Sequence, residues 1–190
     1  MKKYEITDIA HPHNPNLRRI RALIAIAALS IAPGDLGGYV ESEKNLSQEG
    51  NAWVSGNARV SGNAWVYGNA QVYGNARVYG NARVYGDAQV YGNAQVSGNA
   101  AIIWISSIGS ENGTLTVFTG THGLLATRGC FHGTLDEFSA AVDKQHGGSK
   151  TATEYEMAIA LCRLRLADAQ AKIDSGEVKL PDEKETQEAA

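Results

Sequence analysis

At 190 residues the chain has room for about one domain with appendages. Hydrophobic residues reach 43% but aromatics only 7%, which excludes a bulky aromatic core and calls for one built from small side chains such as Ala and Val. The net charge of −3 is uneven, with five Lys/Arg against two acids in residues 1–22 and six acids against two Lys in residues 174–190; this argues against a general nucleic-acid binder and for an acidic, solvated tail.

Residues 1–37 read as an N-terminal cap. Within them "RRIRALIAIAALSIAPG" (18–34) mimics a signal peptide, a basic cluster followed by an apolar run. The run is too short to span a bilayer and leads directly into the pattern that follows, so a cytoplasmic protein is expected. In that compartment Cys130 and Cys162 are read as buried thiols rather than a disulfide.

Residues 38–108 carry the dominant signal. Gly-Asn/Asp-Ala triplets begin at 50, 56, 62, 68, 74, 80, 86, 92 and 98, and a Val stands two residues after each of the first eight Ala. A period of six matches neither a helix nor a simple strand; it marks a solenoid. Ala and Val lie two apart, so on an extended segment both point to one side, and Gly-Asn supplies the corner because both residues accept left-handed backbone angles. Val40 and Leu46 continue the Ala register upstream, and Ser106 and Ile108 continue the Ala and Val registers downstream.

The motif of an aliphatic residue followed four positions later by a small one, Val54 then Ala58 through Val90 then Ala94, resembles the hexapeptide-repeat family of left-handed parallel β-helices. The resemblance implies triangular coils of three repeats, so that residues 18 apart stack at about 4.8 Å; residues 50–103 then form about three regular coils between irregular end coils. It also implies a homotrimer. This register sorts the outward residues into three faces: Trp53, Gln71 and Gln89 with Ser55, Tyr73 and Tyr91; Arg59, Arg77 and Gln95 with Ser61, Tyr79 and Ser97; and Trp65, Arg83 and Ala101 with Tyr67 and Tyr85. Arg83 is expected over Trp65 in a cation–π contact of about 0.5–1 kcal/mol. Arg59 and Arg77, one coil apart, repel by roughly 1 kcal/mol, which an anion would relieve. Five Tyr and two Trp on so slim a body point to an interface.

Residues 109–174 read as a C-terminal region of a β-hairpin and two helices. "TLTVFTG" (114–120) and "GLLATRGCF" (123–131) look like two strands around "THG". On the second strand Arg128, Cys130 and His132 would share a side and suit an anion. Thr134 and Glu137 form a capping box that starts a helix ending near Gly147. A second helix, about 152–174, spaces Tyr155, Ile159, Cys162, Leu166, Ala169 and Ile173 as a seam for the first, with Leu161 and Leu164 widening it. Residues 175–190 are the acidic tail, expected to be disordered.

"GDLGGYVESEKNLSQEGNAWV" (34–54) and "GSENGTLTVF…RGCFHGTLDEFSAAVDKQHG" (109–147), flanking the repeats, look like a group of phage and prophage accessory proteins. That resemblance implies a phage-encoded protein acting in the host cytoplasm and no particular reaction. Acyltransferases and carbonic anhydrases built on such repeats use histidines at the coils, whereas His11, His13, His122, His132 and His146 all lie outside them. "HPH" (11–13) offers two metal ligands, too few for a site, and no phosphate loop, zinc pattern or nucleophile elbow is present, so no cofactor, metal or catalytic residue is expected. The mainly β chain therefore reads as a non-enzymatic binding protein that engages a host defence protein or sequesters a small anionic or nucleotide signal. Its candidate contact residues are Arg59, Arg77, Arg83, Trp65, Tyr67, Tyr79, Tyr85, Arg128 and His132. The alternatives are an acyltransferase-like enzyme and, through Arg beside aromatic residues, a single-stranded nucleic-acid binder.

Overall fold

A computed structural model describes residues 1–178; the rest of the acidic tail, 179–190, lies outside the described residues. Eight two-residue strands recur every six positions: β4 (Trp53–Val54), β5 (Arg59–Val60), β6 (Trp65–Val66), β7 (Gln71–Val72), β8 (Arg77–Val78), β9 (Arg83–Val84), β10 (Gln89–Val90) and β11 (Gln95–Val96). The first five, β4 to β8, each pair in parallel with the strand 18 residues on, Trp53 with Gln71, Arg59 with Arg77 and Trp65 with Arg83 among them, giving a β-solenoid with three faces per coil. The strands are short because a corner interrupts them every six residues. At each corner from Gly50 to Gly92 the glycine has φ between 62° and 75°, a region in which a side chain is strained. From Ala52 to Val96 the Ala and Val side chains of the repeats are fully buried and stack into a narrow core running the length of the coils.

Both ends of the stack are closed, as unpaired strand edges require. At the start, β1 (Tyr4–His11) and β2 (Asn14–Ala22) form an antiparallel hairpin, and β2 hands over to β3 (Leu36–Val40), which joins β5 in parallel. The run 18–34 is thus a strand followed by a single 3-10 turn at Ala27–Leu29. The Lys3 ammonium donates to the carbonyls of Ala52, Glu49 and Gly50, and the Asn45 amide donates to Gly62 and Ala64, closing the other two faces.

At the far end the chain leaves the register. Ser106 and Ile108 do not begin another coil: β12 (Ile102–Ile108) turns back and pairs antiparallel with β13 (Gly113–Gly120), which pairs with β14 (Gly123–Arg128) and then β15 (Phe131–Thr134). The expected two-strand hairpin is therefore half of a four-stranded sheet. The segment 123–131 is not one strand, because Gly129 at φ 57° turns the chain and pairs Arg128 with Phe131. Side chains of this sheet seal the last coil: Thr116 accepts from the Gln89 backbone amide, Thr127 donates to the Gln89 carbonyl and Thr119 donates to the Gln95 carbonyl; from the 3-10 turn before the sheet, Asn99 accepts from the Arg83 backbone amide.

The helices α1 (Leu135–His146) and α2 (Lys150–Asp174) cover the other side of the sheet. Thr134 and Glu137 form the expected capping box, and Ser149 caps α2. Tyr155, Ile159, Cys162 and Leu166 pack with Leu135, Phe138 and Val142 over Leu115, Val117 and Ala126. Leu161 and Leu164 do not widen that seam; they stand 45% and 77% exposed. No described helix is long and apolar enough to cross a membrane.

Candidate functional site

The solenoid register assembles the densest group of candidate residues on its third face. Trp65 and Tyr67 follow one corner and Arg83 and Tyr85 stand one coil later, so the Tyr67 and Tyr85 rings stack at 4.9 Å and 11°. Trp65 turns onto Tyr67, at 4.1 Å and 25°, rather than under Arg83; the expected cation–π pair does not form, because a tyrosine ring two residues away is the better-placed stacking partner. Trp104 completes the row, edge-on to Tyr85 at 4.4 Å. It arrives from β12, the strand that breaks the repeat.

Between the Tyr67–Tyr85 pair and β12 lies a cleft of about 400 Å³, lined by Tyr67, Arg83, Tyr85, Asn99, Ile102, Ile103 and Trp104. Its walls are aromatic and aliphatic, and Arg83 is the cation on its rim. Burial, with the neighbouring Tyr85 next in weight, raises the Tyr67 phenol, which stays protonated at neutral pH and able to donate. Such a cleft offers a stacking surface, one fixed positive charge and an amide, which suits a planar ligand carrying negative charge.

The other candidates lie elsewhere. On the second face the cross-strand register places Arg19, Tyr39, Arg59, Arg77 and Gln95 in one row. Arg59 and Arg77 are half-buried there rather than splayed into solvent, and the Arg19 guanidinium lies 5.1 Å from the Tyr39 ring centre. Tyr79 is nearly buried, in a small cleft shared with Asn14, Leu17 and Glu41 of the N-terminal segment. Trp53, expected on the surface, is likewise covered by the hairpin and meets Tyr4 edge-on at 6.4 Å.

Arg128, Cys130 and His132 do not form a shared anion site, because the turn at Gly129 parts them. Arg128 donates from Nε to the Tyr155 hydroxyl at 2.9 Å and from Nη2 to the Ile108 carbonyl, and its Nη1 lies 3.9 Å from Glu111 Oε2; it ties the sheet to α2. His132 sits over the first face, 4.7 Å from the Tyr91 ring and beside Tyr73. Cys130 is exposed at the turn, against expectation, while Cys162 is buried. No group of three or more His, Cys, Asp and Glu among the described residues is placed to hold a metal.

Sequence reasoning found Trp65, Tyr67, Arg83 and Tyr85 from the 18-residue stacking alone. It missed Asn99, Ile103 and Trp104, which lie just past the last repeat, where periodicity carries no information about the direction of the chain.

Comparison with known proteins agrees with this architecture. Residues 50–68, 70–86 and 76–92 match the family model described as YdcK beta-solenoid repeat. Searches of the curated proteins and of the solved structures returned no significant match. The matched repeats and the stacked parallel strands together make the chain a repeat β-helix protein, a β-solenoid closed by an antiparallel sheet and two helices.

Proposed function

We propose that this protein is a non-enzymatic binding module whose third-face cleft takes a small planar anion of the nucleotide class. The observation that carries the reading is the convergence of the stacked Tyr67–Tyr85 pair, Trp104 and Arg83 on one cleft of about 400 Å³, a volume in the range of small-molecule sites. A base stacks on an aromatic wall, and a guanidinium binds phosphate through charge-assisted hydrogen bonds. The likeness of the two flanking segments to phage and prophage accessory proteins supports a phage-encoded role in which such binding withdraws a signal from host defence. Hexapeptide-repeat resemblance supports left-handed coils.

The test is quenching of tryptophan fluorescence by a panel of mono-, di- and cyclic nucleotides. Saturable binding that weakens at least tenfold in Arg83→Ala and in Trp104→Ala, with Arg59→Ala unchanged, is the expected result. Absence of saturable binding across the panel, or equal affinity in all four proteins, overturns the reading. In infected cells the same Arg83→Ala variant is expected to lose protection of the phage.

A further inference from the structure

α2 has two apolar stripes. One, through Tyr155, Ile159, Cys162 and Leu166, is buried against α1 and the sheet. The other, Met157, Leu161 and Leu164, faces outward at 63%, 45% and 77% exposure. Its spacing of four and then three residues is that of a coiled-coil seam in which Met157 and Leu164 take d positions and Leu161 an a position. Extending the heptad along the helix puts Lys150 at d, Glu154 at a and Asp168 at a, so the seam reads positive, negative, three apolar, negative.

That order selects the partner. In a parallel pair each seam residue faces its own copy, setting Lys150 against Lys150, Glu154 against Glu154 and Asp168 against Asp168. In an antiparallel pair, a positions meet d positions. Leu161 then packs on Met157 of the other copy, Lys150 faces Asp168, and Glu154 lies opposite Leu164, next to Arg165. The Lys150–Asp168 layers become complementary, Glu154 keeps Lys150 of its own helix 3.9 Å away, and two-fold symmetry repeats each contact. The helix is already held rigid by its inner stripe, so docking needs little further ordering.

We infer that the outer stripe of α2 is a self-association surface on which a second copy of this chain docks in an antiparallel, two-fold arrangement. The stripe of Met157, Leu161 and Leu164 shares no residue with the lining of the third-face cleft, so binding of nucleotides and self-association are tested by separate variants. A two-fold contact also differs from the trimer implied by the repeat resemblance.

Sedimentation velocity and native mass spectrometry of the full chain test it. A dimer at micromolar concentration is expected, reverting to monomer in Leu161→Asp with an unchanged circular dichroism spectrum. Lys150→Glu and Asp168→Lys each weaken the dimer, and the two combined restore it, as only the antiparallel register allows. In a Cys130→Ser background, Lys150→Cys with Asp168→Cys gives a covalent dimer on oxidation, and Leu161→Cys alone does not. A monomer, a trimer, a dimer indifferent to Leu161→Asp, or crosslinking through Leu161→Cys alone overturns the proposal.

Discussion

Lys3 is 2% exposed and is held by three carbonyls at the first coil, an uncommon place for an ammonium. Burial lowers its pKa from 10.5 to about 8. Between those values the unfolded chain keeps a proton that the folded chain has released, so stability rises with pH across that window. Tyr4 works the other way: burial first, then Glu43, pushes its phenol from 10.0 up to about 12, so the unfolded chain ionises first and stability falls as pH climbs beyond 10. The urea midpoint is therefore expected to climb from pH 8 towards pH 10 and then turn over. Lys3→Met removes the climb, a change of at most about 3 kcal/mol at 1.36 kcal/mol per pKa unit; a climb that persists in this variant places its origin elsewhere. The same logic of burial separates the two positions of a repeat. Val72 is fully buried, whereas Gln71 beside it faces outward. Val72→Asp strands a charge in the core and is expected to unfold the coils, at several kcal/mol, while Gln71→Ala costs little in thermal denaturation. Cys162, whose thiol burial raises to about 11, is expected to react with a thiol reagent only on unfolding, and exposed Cys130 at once.

Corners and strands form a repeating element, yet its copies are not equivalent. A methyl group added at Gly74 would meet the Gly92 amide nitrogen at 2.9 Å, whereas at Gly92, the end of its row, nothing lies within 4 Å. Both residues have φ in the left-handed region, 75° and 66°. Gly92→Ala should therefore cost about 1 kcal/mol of backbone strain, and Gly74→Ala should cost that plus displacement of the next coil. Chemical denaturation of the two variants separates them, and equal losses would contradict the stacking. Periodicity makes this element legible in the amino-acid sequence. The six-residue repeat fixes the corner, the Ala–Val spacing fixes the inner side, and an 18-residue coil fixes which positions stack, as Tyr67 and Tyr85 do. Where the repeat ends, so does the legibility. β12 is written in apolar and small residues that fit another coil as well as a reversing strand. Its direction is decided by pairing with β13, a contact between segments that no local spacing encodes. Trp104 is hidden in the sequence for that reason. Leu161 and Leu164 mislead for a related one: apolar residues on a helix say that a face is to be covered, not by what.

Strand β13 joins the two halves of the chain. Phe118 points into the solenoid core, while Leu115 and Val117 point into the core under the helices, and Thr116 and Thr119 bond the last coil. A solenoid of independent repeats can fray coil by coil, with stability summed from neighbours. Here the coils are few and both ends are tied, so losing the helices uncovers one side of β13 and with it the threonines that close the last coil. The physical expectation is a single transition. In a Trp104→Phe background, far-ultraviolet dichroism, dominated by α1 and α2, and the fluorescence of Trp53 and Trp65 in the coils should give coincident curves in urea. Replacing Thr127 by Val, nearly the same shape without the hydroxyl, leaves the Gln89 carbonyl unpaired beneath the sheet and should lower both midpoints together, by about 1–3 kcal/mol. If the helical signal is lost first while the tryptophan signal holds, the sheet and helices are a separable appendage, and the end of the solenoid is closed by Asn99 and the last turn alone.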